Sequence, residues 1–253
     1  MTDQFVPIPP VRTGYLKLAD TSLYYRDYGE DTARHTLLLL HGNGESWHCF
    51  ARQVGPFSEA GYRVITLDSR GHGSSGRGSL PMTPQQLAAD ALDALTLLGI
   101  SKAVPVGFSD GGNLALLMGI LRPDAIEALV AAGPNLVPAG AKLSAQLPCE
   151  LLYPPLRLIG RKIPAAAHRA DVLGLMVDQP QIPFDALYQL QLPALILGGE
   201  RDMIRPGHLC HIAQALPMGR LSVLPRASHF VFREPWAEET NRRVLAFLRQ
   251  VLR

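Results

Sequence analysis

The sequence predicts an α/β domain: a mostly parallel, eight-stranded sheet with helices on both faces and a small helical insertion. First, short runs that are apolar throughout alternate with stretches of helical spacing. A strand with no polar face is buried on both sides, as a parallel sheet between helix layers requires. Second, two strand-like runs at the start, Gly14 to Leu18 and Ser22 to Tyr28, are parted by the turn-prone Asp20-Thr21, which gives an antiparallel edge. Third, eight of the 21 prolines fall between residues 134 and 188, where no strand alternation is visible.

Each element has its own signal. Leu37 to Leu40 is a buried strand that breaks at His41-Gly42-Asn43-Gly44. A helical stretch from about Trp47 to Ala60 precedes the strand Tyr62 to Leu67, which stops at Asp68. Thr83-Pro84-Gln85-Gln86 starts a helix with a hydroxyl cap, a first-turn proline and Gln86 at the capping-box position. Leu87, Ala91, Leu95 and Leu98 then face the sheet. Val104 to Gly107 is a strand, Asp110 to Leu121 a helix and Ile126 to Ala132 a strand. After the insertion come Ala194 to Leu197 (strand), Pro206 to Leu216 (helix), Leu221 to Leu224 (strand) and a helix from about Trp236 to Leu252.

The expected organisation is a core over residues 1–133, a cap over 134–190 and the rest of the core over 191–253. Leu151, Leu152, Tyr153, Leu156, Ile159, Leu173 and Met176 of the cap either line a pocket or pack the cap onto the sheet.

Composition narrows the function. Hydrophobic residues make up 47% and charged residues 18% of 253 positions, as in a well-buried globular core. A net charge of +2 gives no electrostatic footprint for nucleic acid or an anionic membrane. The Met-Thr-Asp-Gln start lacks the pattern of a signal peptide, and apolar stretches such as Leu114 to Leu121 are too short to span a bilayer. Cys49, Cys149 and Cys210 form no metal spacing and no disulfide framework, so a cytoplasmic location is expected, with each cysteine a small core hydrophobe. No metal or organic cofactor is implied, and the oligomeric state is left open.

Gly107-Phe108-Ser109-Asp110-Gly111 carries the chemistry. It follows a buried strand and opens a helix, the context in which Gly-x-Ser-x-Gly forms a nucleophile elbow. The tight turn needs small residues beside the serine, and the helix N-terminus offers positive dipole to a developing oxyanion. The competing reading is a serine that only caps the helix.

At these residues the chain resembles the α/β-hydrolase superfamily, over nearly its whole length. "LLLLHGNG" is similar to the strand and oxyanion loop, and "VITLDSRGHGSS" to the next strand and its turn. "VGFSDGG" is similar to the elbow, "ALILGGERD" to the strand bearing the acid and "LPRASHF" to the loop bearing the histidine. The resemblance implies a serine hydrolase that works through an acyl-enzyme, with its triad in the order Ser, Asp, His.

Asp202 is the expected acid, because it ends a strand at the edge where catalytic groups gather in open α/β sheets. Glu200 is the rival carboxylate. His229 is the expected base, since it follows the last strand and precedes the last helix, and its ordinary pKa suits proton transfer near neutral pH. His41 and His72 resemble residues that brace neighbouring loops. The backbone N–H groups of Asn43 and Asp110 are the expected oxyanion hole.

The "SDGG" elbow and Gly133-Pro134-Asn135 look most like biphenyl hydrolase-like serine hydrolases, some of which cleave amino-acid esters. In that group the matching aspartate helps hold the α-ammonium of the substrate. The resemblance thus gives Asp110 a substrate-binding role, with Glu45 adding to the negative field, while the plain alternative for Asp110 is charge–dipole attraction to its helix. His-Gly-Asn-Gly departs from the usual oxyanion loop of that group. Haloalkane dehalogenases and epoxide hydrolases of this fold have an aspartate where this chain has Ser109, and perhydrolases a large aromatic and a proline where it has Asn43 and Gly44. The expected function is hydrolysis of small carboxylic esters. Amino-acid ester, amide, peptide, lactone and carbon–carbon hydrolysis remain open on the same residues, as does a ligand-binding receptor.

Overall fold

A computed structural model of the chain describes residues 7–29 and 32–252. Residues 1–6, which carry the expectation about a signal peptide, lie outside the described residues. Its strands are β1 (Arg12–Lys17), β2 (Ser22–Asp27), β3 (Thr36–Leu40), β4 (Arg63–Leu67), β5 (Val104–Phe108), β6 (Leu129–Ala132), β7 (Ala194–Gly199) and β8 (Gly219–Leu224). They form one sheet in the order β1-β2-β4-β3-β5-β6-β7-β8. β1 pairs with β2 and β2 with β4 antiparallel, and every later pairing is parallel.

The helices are α1 (Ala51–Glu59), α2 (Pro84–Leu97), α3 (Asp110–Leu121), α4 (Leu143–Gly160), α5 (Pro164–Val177), α6 (Phe184–Tyr188), α7 (Pro206–Ala215) and α8 (Ala237–Val251). A 3-10 turn, Trp47–Phe50, leads into α1. Because successive side chains of a strand point to opposite faces, β3 feeds both layers of the core. Leu38 and Leu40 pack with Leu87 and Leu95 of α2, Leu114 of α3 and Leu209 of α7. Leu37 and Leu39 pack with Val54 and Phe57 of α1 and Val244 and Phe247 of α8.

The topology decides where a site can lie. From β3 the chain moves outward to β4, and from β5 it moves the other way to β6. The loops after β3 and β5 therefore diverge, leaving a crevice at the C-terminal edge of the sheet. Residues 41–44 and Ser109 flank that crevice.

Two local readings differ from the sequence expectation. Thr83 caps α2 by accepting from the Gln86 N–H at 3.2 Å, but the Gln86 side chain does not return to Thr83. It donates to Asp90 Oδ1 at 2.9 Å, a buried carboxylate also held by Arg70, while the Thr83 N–H is taken by Pro81 O. The apolar run from Ile126 enters the sheet only at Leu129, with Ile126 paired through an isolated bridge to Ala103.

Between β6 and β7 the chain forms α4, α5 and α6, with Pro148, Pro154 and Pro155 inside α4. This segment starts on the loop after β7: Ala141 bridges Ile204, and the Lys142 N–H donates to Met203 O at 2.7 Å. Among the described residues no helix is long and apolar enough to cross a membrane. The three cysteines are free and half-buried rather than core residues. Cys49 packs at the edge of the α1–α8 layer.

Candidate active site

Ser109 sits between β5 and α3 in a conformation that side-chain-bearing residues rarely adopt, φ 55° and ψ −116°. Close packing of the backbone imposes that turn. A Cβ on Gly107 would fall 1.9 Å from Gly111 O, and one on Gly111 would fall 1.9 Å from Leu40 O. The glycines flanking the serine are thus required by contact between β5, α3 and the end of β3. The Ser109 N–H donates to Ala132 O at 2.7 Å, and Asn113 of α3 binds Asn135 through both ends of its amide. Gly133, with φ +62°, passes beneath His229, where a Cβ would lie 2.6 Å from the ring.

His229 Nε2 lies 3.0 Å from Ser109 Oγ, and His229 Nδ1 lies 2.7 Å from Asp202 Oδ1. A carboxylate only accepts, so Nδ1 carries the proton and Nε2 is left to accept from the serine hydroxyl. Asp202 is 1% and His229 5% exposed, which keeps water from competing for this chain of hydrogen bonds. Burial alone would raise the Asp202 carboxyl. The His229 hydrogen bond and charge, with the N–H groups of Ile204 and Gly199, outweigh burial and hold it below its ordinary value.

The rival carboxylate Glu200 is exposed and accepts from the Arg226 N–H, away from His229. His41 and His72 are buried and brace loops. His41 Nδ1 donates to Gly42 O at 2.8 Å while Nε2 accepts from the Ser69 N–H, and burial lowers its pKa to about 4. His72 Nδ1 donates to Arg70 O.

Neither the Asn43 nor the Asp110 backbone N–H has an acceptor among the described residues. The Asp110 group is free because the first turn of a helix leaves its N–H groups without intrahelical partners. The Asp110 carboxylate is half-buried, and Oδ2 accepts from Asn43 Nδ2 at 2.9 Å. Burial pushes its pKa up to about 6, against the opposing hydrogen bond from Asn43. Glu45 is paired with Arg233, whose guanidinium lies over the Phe230 ring.

A cavity of about 110 Å³ opens beside Ser109, lined by Gly42, Phe108, Met176, Met203, His229 and Phe230 together with Asn43 and Glu45. Asp110 does not line it. A larger cavity of about 370 Å³ adjoins at Asn43 and is walled by Leu152, Leu156, Val172 and Leu173, with His168 and Arg169 at its exposed rim. Of the apolar insertion residues, Leu152, Leu156 and Leu173 thus line the larger cavity and Met176 the smaller. Leu151 and Ile159 face solvent, and Tyr153 packs on Gly174.

A family model described as the alpha/beta hydrolase fold matches residues 35–152. This chain has the α/β-hydrolase fold. A relative of known name, 2-hydroxy-6-oxo-6-phenylhexa-2,4-dienoate hydrolase from Comamonas testosteroni, is 28% identical over 92% of this chain and 93% of its own length. Among solved structures, the enol-lactonase from Burkholderia xenovorans LB400 superposes with a TM-score of 0.77 at 23% identity, covering 93% of this chain and 100% of that one. The carboxylesterase from Bacillus subtilis gives 0.77 at 20% identity, over 96% of this chain and 93% of that one. The α/β-hydrolase fold is thus shared with proteins named for different scissile bonds, and the subgroup of biphenyl hydrolase-like esterases is not among these three.

Sequence reading missed two polar contacts. Lys142 Nζ donates to Asp202 O at 2.5 Å, and Asn43 Nδ2 donates to Val172 O at 2.7 Å. The first partner lies in a proline-rich stretch without motif character, and in the second contact the acceptor is a backbone oxygen, which no side-chain pattern marks.

Proposed function

We propose that this chain is a serine hydrolase that cleaves a carbon–carbon or lactone bond beside a carbonyl. Ser109 attacks the carbonyl carbon while His229 takes its proton, and Asp202 fixes the imidazole tautomer and offsets its developing charge. The N–H groups of Asn43 and Asp110 receive the oxyanion; such a donor typically contributes roughly 2.7–4 kcal/mol to the transition state. His229 then returns the proton to the leaving group, and water, deprotonated by His229, releases the acid from Ser109. A carbon leaving group departs only where an adjoining carbonyl takes up the electron pair, whereas a lactone oxygen departs as the hydroxyl of the same product molecule.

The observation that carries this reading is the hydrogen-bonded chain Ser109–His229–Asp202 beside two unpaired N–H groups. The bond class is supported by the oxo-dienoate relative, which spans nearly the whole chain. We read residues 134–190 as a cap. It lays the rest of the substrate over Asn43 into the larger cavity, where Arg169 at the rim suits an anionic tail. A second reading, hydrolysis of small carboxylic esters, is favoured by the 110 Å³ cavity, which has room for only a short acyl group.

The test is a substrate panel: a 2-hydroxy-6-oxo-dienoate, an enol-lactone and esters of graded acyl length with and without an α-amino group, beside fluorophosphonate labelling of Ser109. Turnover of the dienoate or lactone at least about 100-fold above the esters supports the first reading. The reverse order supports the second. Ser109→Ala should lower kcat by about 10⁴-fold or more on the preferred substrate and abolish labelling. Labelling without repeated turnover would mark a receptor, and neither would sink the assignment of Ser109.

A further inference from the structure

We propose that Asp110, acting through the side chain of Asn43, is a positioning residue that sets the spacing of the two oxyanion N–H donors and couples it to helix α5. The proposal rests on the reading of Ser109 as nucleophile.

The two residues whose unpaired backbone N–H groups we assign to the oxyanion are also bonded to each other by their side chains. An amide nitrogen has two hydrogens, and Asn43 Nδ2 uses one on Asp110 Oδ2 at 2.9 Å and the other on Val172 O at 2.7 Å. An ionised carboxylate and a carbonyl are both acceptors only, so the amide cannot be flipped without losing both bonds. The bond to the carboxylate is charge-assisted and stronger than a neutral one. Three distant segments, the loop after β3, the start of α3 and the middle of α5, are joined at one nitrogen.

The plain alternatives fit less well. A carboxylate that served only the dipole of α3 would need no side-chain partner, yet Asp110 Oδ2 is held by Asn43 Nδ2 at 2.9 Å. A carboxylate that held a substrate ammonium would face the cavity beside Ser109, and Asp110 does not line that cavity. The loop bearing Asn43 is also lightly held: among the described residues Gly42 O accepts from the Glu45 N–H and from His41 Nδ1, and neither bond involves a backbone group of Asn43. The Asn43 side chain is thus the fastener of its own N–H.

The experiment compares Asn43→Ala, Asp110→Ala, Asp110→Asn and the double alanine variant. It records kcat and KM on the best uncharged substrate of the panel, the rate of fluorophosphonate labelling and the thermal midpoint. Each single alanine change should lower kcat and labelling by about 10- to 100-fold with KM within about threefold, since oxyanion contacts act in the transition state. The double variant should be no worse than the worse single, because both remove the same device. Asp110→Asn, whose amide oxygen still accepts, should recover to within about fivefold. Should Asp110→Ala not fold, Asn43→Ala and Asp110→Asn carry the test. Unchanged kcat in Asn43→Ala, or single effects that multiply in the double variant, would overturn the proposal. So would an Asp110 effect confined to KM for α-amino esters, which would make Asp110 an ammonium holder. A wild-type enzyme that neither labels nor turns over would instead remove the nucleophile on which the proposal rests.

Discussion

Every residue of β3 and β5 is buried, whereas in the 18 residues of α4 Gln146 is the one buried side chain. The two regions meet at the same crevice. At the sheet edge, backbone packs on backbone, and the elbow glycines leave no room for a methyl group. In the insertion, Leu143, Leu151 and Leu158 are each more than 60% exposed, and the walls of the larger cavity are flexible aliphatic side chains. On the proposed function, the difference separates two tasks. Bond making needs atoms held to a fraction of an ångström, which strands packed on both faces supply. Accepting the remainder of a substrate needs a surface that can change shape at little cost, which a loosely packed helical segment supplies.

The sharpest way to break that contrast is a single methyl group at the sheet edge. Gly111→Ala would drive a Cβ to 1.9 Å from Leu40 O and 2.8 Å from His41 O, both backbone atoms that cannot move aside cheaply. The expected cost is about 3 kcal/mol or more, or roughly 6–12 °C in the thermal midpoint for a chain of this size. Gly207→Ala in α7, where nothing lies within 4 Å, should be neutral or stabilising by less than about 1 kcal/mol. Equal melting points for the two variants would show that the elbow is not packed as described.

The same contrast explains what could be read in advance. The sheet edge was legible because each requirement there falls on a residue type: an all-apolar run for a strand buried twice, glycine where backbones touch, histidine between a hydroxyl and a carboxylate. Ser109, Asp202 and His229 come together from stretches that share no local signal, yet each stretch ends a strand. Gln86 was misread for the opposite reason. Its local pattern favoured a return to Thr83, and a buried carboxylate on Asp90, fixed by Arg70, offered it a stronger partner. The Lys142 and Val172 contacts were illegible because their acceptors are backbone oxygens, and because one partner of each lies in a segment whose prolines obscure any periodicity.

The two site carboxylates carry the comparison into pH. Asp202 is held below its ordinary pKa, so its contribution to stability is present above the unfolded carboxylate value and lost as pH falls through the lower folded one. Asp110 runs the other way. Its pKa rises from 3.8 to about 6 on folding, so the folded chain binds more protons between those values and stability falls as pH rises across them. Asp110→Asn removes that penalty. The variant should be more stable than the wild type by about 1–2 kcal/mol at pH 8, part of the full shift being returned through the lost charge–dipole attraction. Denaturant melts at pH 8 and pH 4 test this, because the gain should be absent at the lower pH. A gain of equal size at both would mean that Asp110 does not change its proton affinity on folding.

The smallest effects are expected in the insertion, and they should fall on selectivity rather than on folding. Leu173 walls the larger cavity, while Leu151, 68% exposed, touches neither cavity. Leu173→Ala should raise KM for a long-chain substrate by about 3- to 10-fold, as loss of buried apolar contact with the chain implies. For an acetyl ester, whose acyl group ends within the 110 Å³ cavity, neither kcat nor KM should move. Leu151→Gln should leave both substrates unchanged and the stability within about 0.5 kcal/mol, because an exposed leucine has little burial to lose. If Leu173→Ala instead lowers kcat on both substrates alike, α5 acts on the chemistry and not only on the chain it covers. That result would extend the influence of α5 on the proposed oxyanion donors beyond the Val172–Asn43 bond to its cavity wall, and the two regions would no longer be separable by task.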